Sequence, residues 1–185
     1  DQVCERTERR GRTGRPAFWA DERARMLDDL LTWLRHDSEL VVARGSTVLA
    51  SEMRFGADDA ASIALPDGRH IRLKGSIDRV DRTSDGGLVV TDHKSGGKDK
   101  FKDMTVDDPT VGGTLFQLPS YAAAARARFG EPDTPVLAEY GLLRKGDYAR
   151  PGFPMTPEVD ARVSESLALV VAGIESGFFP NRPER

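Results

Sequence analysis

Along "STVLASEMRFGA" (residues 46–57), "ASIALPDGRHIRLKGSIDRVDR" (61–82) and "GLVVTDHK" (87–94), apolar residues tend to recur at every second position. That period places successive side chains on opposite faces of a strand. Met53 and Phe55 then share one face of the first strand, and Glu52 and Arg54 the other. Pro66-Asp67-Gly68 and Ser84-Asp85-Gly86-Gly87 carry turn chemistry, so these segments read as successive antiparallel strands.

Elsewhere the spacing is helical. Leu27, Leu30, Leu31 and Leu34 predict an amphipathic helix from Pro16 to about Arg35, with Trp19 and Trp33 in or beside the core. A second helix runs from about Phe116 through "YAAAARARFG" to Gly130, where Pro119 is tolerated because it lies in the first turn. "TPVLAEYGLLRKG" predicts one more strand. A last helix has Thr156 as N-cap, Pro157 at the first helical position, a stripe of Val159, Val163, Leu167, Val170 and Ile174, and Gly177 as its stop. Between strand and helix, "SGGKDKFKDMTVDDPTVGGT" has no sustained period and reads as a loop. Its Lys98, Lys100 and Lys102 are either a solvated face or a clamp on a nucleic-acid strand. The order predicts an α/β fold with a mixed β-sheet flanked by helices.

Composition narrows this picture. The 185 residues suit one domain, expected over residues 16–185. Residues 1–15 hold Arg6, Arg9, Arg10, Arg12 and Arg15 among few apolar residues, and read as a flexible, solvated arm. A net charge of −3 argues against a protein that coats nucleic acid nonspecifically, while leaving room for a local basic groove. No apolar run reaches the roughly 18 residues that span a bilayer, so a cytoplasmic chain without membrane partners is expected. Cys4 is the single cysteine and can form no internal disulfide. A start at Asp1 and a stop after an apparent helix give the chain the look of a piece of a larger protein.

The chemistry concentrates in "LKGSIDRVDRTSDGGLVVTDHKSGG". Matching Val80 with Val90 puts Asp78 opposite Asp92 and Arg82 opposite Leu88, with Thr83 to Gly87 as the connecting loop. Two facing carboxylates repel, so something must offset them. Lys94, two residues beyond Asp92 on the same face, is one candidate. A hard divalent cation is another, since Mg²⁺ takes one or two carboxylates together with phosphate oxygens. A surface ladder of Asp78, Asp92, Lys94 and Arg79 explains the same residues without metal.

The string "GSIDRVD…VVTDHKSG…QLPSY" resembles the PD-(D/E)xK nuclease superfamily, in particular its RecB-like branch found in bacterial helicase–nucleases and CRISPR-associated exonucleases. The likeness covers about Glu52 to Tyr140 and implies a restriction-endonuclease-like αβββαβ core. It implies that Asp78, Asp92 and the backbone carbonyl of His93 bind catalytic Mg²⁺ or Mn²⁺. Lys94 would then contact the scissile phosphate and the attacking water, with Gln117 and Tyr121 positioning Lys94 or the DNA. RecB-like enzymes usually place a further metal-binding histidine on the helix before the first strand; His36, at the ragged end of that helix, and Glu52 compete for this role. Some relatives carry an iron–sulfur cluster, which Cys4 alone cannot hold, so none is expected within these residues. The resemblance implies a DNA exonuclease module that works with a helicase domain or subunit in end processing or repair. The alternative is a nuclease-like module that binds DNA or a partner without cutting.

Overall fold

The computed structural model describes residues 2–56, 60–143 and 148–178. Ala57 and Arg144 to Gly146, at the ends of two expected strands, lie outside these residues. Helix α1 (Gln2–Arg9) precedes α2 (Pro16–Ala43) and β1 (Thr47–Phe55). The hairpin β2 (Ala61–Ala64) and β3 (His70–Leu73) forms a small sheet of its own. There follow β4 (Gly75–Arg82), β5 (Leu88–Lys94), α3 (Gln117–Phe129), β6 (Val136–Leu142), β7 (Gly152–Pro154) and α4 (Pro157–Ser176). The main sheet has the order β1-β4-β5-β6-β7, with β5 and β6 parallel and the other neighbours antiparallel. Leaving aside the hairpin inserted after β1, α2-β1-β4-β5-α3-β6 is the expected αβββαβ core.

The hairpin register is the expected one. Val80 pairs with Val90 and Arg82 with Leu88, and the Thr83–Gly87 loop is closed by Thr83 N–H donating to the Gly87 carbonyl. Parallel pairing of β5 with β6 requires a long crossover, which α3 supplies. The helix lays Leu118, Tyr121, Ala122 and Ala125 on the core that contains Val80, Val90, Ala138 and Tyr140. The small alanines of α3 let it approach the sheet closely, which is how its first turn comes to lie over the end of β5. The last helix is capped as its sequence requires, with Thr156 Oγ1 accepting from Val159 N–H and Gly177 left-handed at φ 67°. Val159, Val163 and Leu167 are buried, but the stripe ends there and Ile174 is exposed.

Two expectations are corrected. The arginine-rich stretch carries a helix, α1, tied to α2 by Trp19 Nε1 donating to Glu8 (2.6 Å) and by an Arg23–Glu8 ion pair at 3.4 Å. Helix α2 continues to Ala43, and it does not pack through its leucine stripe: Leu30, Leu31 and Leu34 are exposed, while Trp33 and Asp37 are buried. An inward-facing acid one turn after Trp33 breaks the apolar period, so the pattern alone stops the helix near Arg35.

Gly152 shows how tightly the sheet edge is built. A Cβ there would meet the Ala138 carbonyl oxygen at 2.3 Å and the Glu139 Cα at 2.7 Å, both backbone atoms that cannot turn aside. Gly152→Ala should therefore displace β7 from β6 and destabilise the fold by about 1–3 kcal/mol. An unchanged urea midpoint would refute this.

Candidate active site

Asp92 and Lys94 leave the end of β5 on the face that α3 covers, because side chains two residues apart share a face of a strand. Asp92 is only 3% exposed. Its Oδ1 accepts from Gln117 Nε2 at 2.9 Å, and the second hydrogen of the same amide reaches Tyr121 Oη at 2.9 Å. Gln117 and Tyr121 lie four residues apart on α3 and so face the site together. Lys94 Nζ stands 2.5 Å from Asp92 Oδ2, a short charge-assisted ion pair with a buried oxygen. The ammonium also sits 5.6 Å from the ring centre of Tyr140, the residue beside Asp92 in the parallel register.

Asp78 reaches this site by a break in strand alternation. Ile77 and Val80 are both fully buried in the same core cluster although they lie three positions apart. A regular strand would send them to opposite faces, so the backbone is irregular between them, at Asp78 and Arg79. On the neighbouring strand, Ser51 pairs with Arg79 and Met53 with Ile77, which leaves Glu52 beside Asp78 with a left-handed φ of 51°. The β4–β5 ladder runs only to Arg79–Thr91. Asp78 does not extend it to Asp92; its Oδ2 accepts the His93 N–H at 2.7 Å. The His93 ring packs edge-on against Trp33, 4.9 Å between centres, and burial above all, with the Arg79 charge, holds its pKa below the usual value.

Electrostatics sets Asp92 apart. Burial raises its carboxyl pKa; Lys94 opposes this, and the nearby Asp78 charge adds to it. One ammonium faces two neighbouring carboxylates, Asp92 and Asp78, and such oxygen donors are the ones a hard cation prefers. The residues present therefore fit a divalent metal.

A family model of the PD-(D/E)XK nuclease superfamily matches residues 1–185. The chain belongs to this superfamily. No curated protein matches it. Nucleases of the PD-(D/E)XK superfamily generally use divalent metals such as Mg²⁺, in keeping with the donors described here.

Within this PD-(D/E)XK fold, the structure brings Asp78, Asp92, Lys94, Gln117 and Tyr121 together; His36 lies elsewhere on α2, and Glu52 stands beside Asp78 on β1 without being gathered into a ligand group. His36 is exposed in the middle of α2, its ring tilted against Tyr148 at 4.6 Å. Glu52 is exposed on β1. Among the described residues, no group of three or more His, Cys, Asp or Glu side chains is gathered to hold a metal.

Sequence reasoning missed a second constellation, under α2 on the other face of the sheet. Arg79 grips Asp37 (2.5 and 3.2 Å) and Asp81 (2.9 Å). Arg150 joins Asp37 to Glu139, and Arg44 holds Glu139 in a bidentate pair at 2.9 and 3.0 Å. Arg79 thus belongs to this buried network and not to a surface ladder with Asp78 and Asp92. Its partners are scattered from residue 37 to residue 150, and no local spacing announces them. The one available signal was the alternation of Arg79 and Asp81 opposite Asp78 and Val80.

Proposed function

We propose that the chain is a metal-dependent DNA nuclease module, an exonuclease domain that acts with a helicase in processing DNA ends. The observation that carries the hydrolytic reading is Asp92: a buried carboxylate held by Gln117, standing 2.5 Å from the Lys94 ammonium and close enough to Asp78 to feel its charge. Asp78 and Asp92, with the His93 carbonyl, would hold Mg²⁺ or Mn²⁺, and Glu52, beside Asp78 on β1, is nearer to them in the sheet register than His36 on α2. Such an ion lowers the pKa of a bound water and draws charge from phosphoryl oxygens.

The chain's own residues supply the rest. Gln117, fixed by Tyr121, keeps Asp92 from turning away from the site. Lys94 places a positive charge at the phosphate, where negative charge grows as water oxygen bonds to phosphorus and the ester P–O bond breaks. The His93 N–H holds Asp78 in place. The DNA, end-processing and helicase parts of the proposal rest on the likeness of "GSIDRVD", "VVTDHKSG" and "QLPSY" to the RecB-like branch.

The test is cleavage of end-labelled linear single- and double-stranded DNA with Mg²⁺ or Mn²⁺, comparing the chain with Lys94→Ala. Metal-dependent cutting reduced about 10²-fold or more in the variant is expected, from the loss of a charge at the transition state. Products shortened progressively from an end would support the exonuclease reading. A variant that cuts like the parent would remove Lys94 from the mechanism. A parent that binds DNA and never cuts would favour a binding module.

A further inference from the structure

Lys94 does not stand on Asp92 alone. Its ammonium lies 5.6 Å from the centre of the Tyr140 ring, within the range where a cation is drawn to an aromatic face. Tyr140 is itself 1% exposed and cannot swing aside. Phe101 stacks against its ring, 4.1 Å between centres at an interplanar angle of 25°. Phe101 comes from a short 3₁₀ turn, Lys98–Phe101, in the stretch read from sequence as a loop, and it is the one buried residue of that turn. Three side chains from three parts of the chain thus form a column: Phe101, Tyr140, and the Lys94 ammonium.

We propose that Tyr140, backed by Phe101, is a positioning residue for Lys94. The argument concerns freedom of the lysine. Its side chain is a third exposed, and among the carboxylates its ammonium is held at one point, the 2.5 Å pair with Asp92 Oδ2. A four-carbon stem held only by such a contact keeps much of its rotamer freedom. The aromatic face favours one placement of the ammonium, beside Asp92, and does so without offering a competing hydrogen-bond acceptor. Displacing a charge by about 1 Å at a reacting centre can cost about 10²-fold in rate, so a seat of this kind belongs to turnover more than to binding. The 3₁₀ turn is thereby coupled to the site through Phe101.

This inference rests on the nuclease reading, and its test separates the two. The probe is the Lys94 ε-methylene resonance in uniformly labelled protein, assigned by its disappearance in Lys94→Arg. It should lie upfield of the other lysines, shifted by the ring current of Tyr140. Tyr140→Leu should return it to the ordinary position and lower kcat for DNA cleavage by about 10-fold or more, with KM within about 2-fold. Tyr140→Phe, which keeps the ring, should restore both the shift and turnover. If Tyr140→Leu does not fold, Phe101→Leu carries the test, with loss of part of the shift and a smaller fall in kcat. A Lys94 resonance at the ordinary position in the unaltered protein overturns the seat. Unchanged kcat in a variant that has lost the shift overturns the positioning role, as does a protein that never cuts. Failure of the nuclease site assignment shows separately, as cleavage that survives Lys94→Ala.

Discussion

Asp92→Asn lowers metal-dependent cleavage by about 10³-fold or more and, at neutral pH, raises the thermal midpoint. The first effect follows from the donor set. Asp92 is the buried one of the two carboxylates, and an amide gives a hard cation neither the charge nor the second oxygen of a carboxylate. Mn²⁺ binding by calorimetry should weaken in parallel, while Gln117 can still hydrogen-bond the Asn side-chain oxygen in the place of Oδ1.

The second effect comes from the sign of the Asp92 shift. Burial, the leading cause, pushes its carboxyl pKa above the ordinary value, so between the two values the folded chain binds more protons than the unfolded chain. Stability must fall as pH rises through that window. A neutral side chain removes this penalty, and Lys94, a third exposed, can turn to water when its partner goes. The advantage of the variant should shrink as pH falls towards the ordinary carboxylate range. A variant that is less stable at neutral pH would show that the Lys94 pair outweighs the burial of Asp92.

The features that were legible in the sequence are the local ones. Register followed from matching Val80 to Val90, and the Thr83–Gly87 loop from turn residues; both depend on neighbours close in the chain. The grouping of Asp92 with Lys94 followed from strand alternation. Alternation also grouped Asp78 with Asp92, and the structure gathers the two acids; what alternation does not announce is the irregularity between Ile77 and Val80 and a β4–β5 ladder that ends at Arg79–Thr91. Helix α2 misled for a related reason. Its leucines suggested the packed face, whereas the face that is buried carries Trp33 and Asp37, an acid affordable only because arginines 42 and 113 residues away meet it. Long-range charge pairing leaves no period in a sequence. The ring column under Lys94 was hidden likewise, since Phe101 lay in a stretch that no periodicity described.

That network supports the other large expectation, that Arg79→Met destabilises the fold by about 3–5 kcal/mol at neutral pH, which is a large share of a domain's usual stability. Arg79 lies between two buried acids, and its loss leaves Asp81 without its ion-pair partner and Asp37 with Arg150 alone. The two acids titrate in opposite senses today. For Asp37, burial alone would raise the carboxyl pKa, but the hydrogen bonds and charges of Arg79 and Arg150 outweigh it and hold the value low. Its contribution is therefore present above the unfolded value of 3.8 and lost as pH falls through the folded one. For Asp81, burial wins over Arg79 and the value is raised, consistent with a buried Oδ1 that has no hydrogen bond, so its ionisation works against the fold as pH rises. Without the guanidinium both acids are pushed upward, and protonation relieves the variant at acid pH while the parent loses its Asp37 pair. Urea denaturation between about pH 3 and pH 7 should show the two stability curves converging as pH falls. Replacing Asp81 by leucine together with Arg79→Met should recover part of the loss, because the pair is removed together and Asp37 keeps Arg150. A penalty in the single variant that does not change with pH would mean that Arg79 acts through the packing of its stem, and not through the charge it carries between α2 and the sheet.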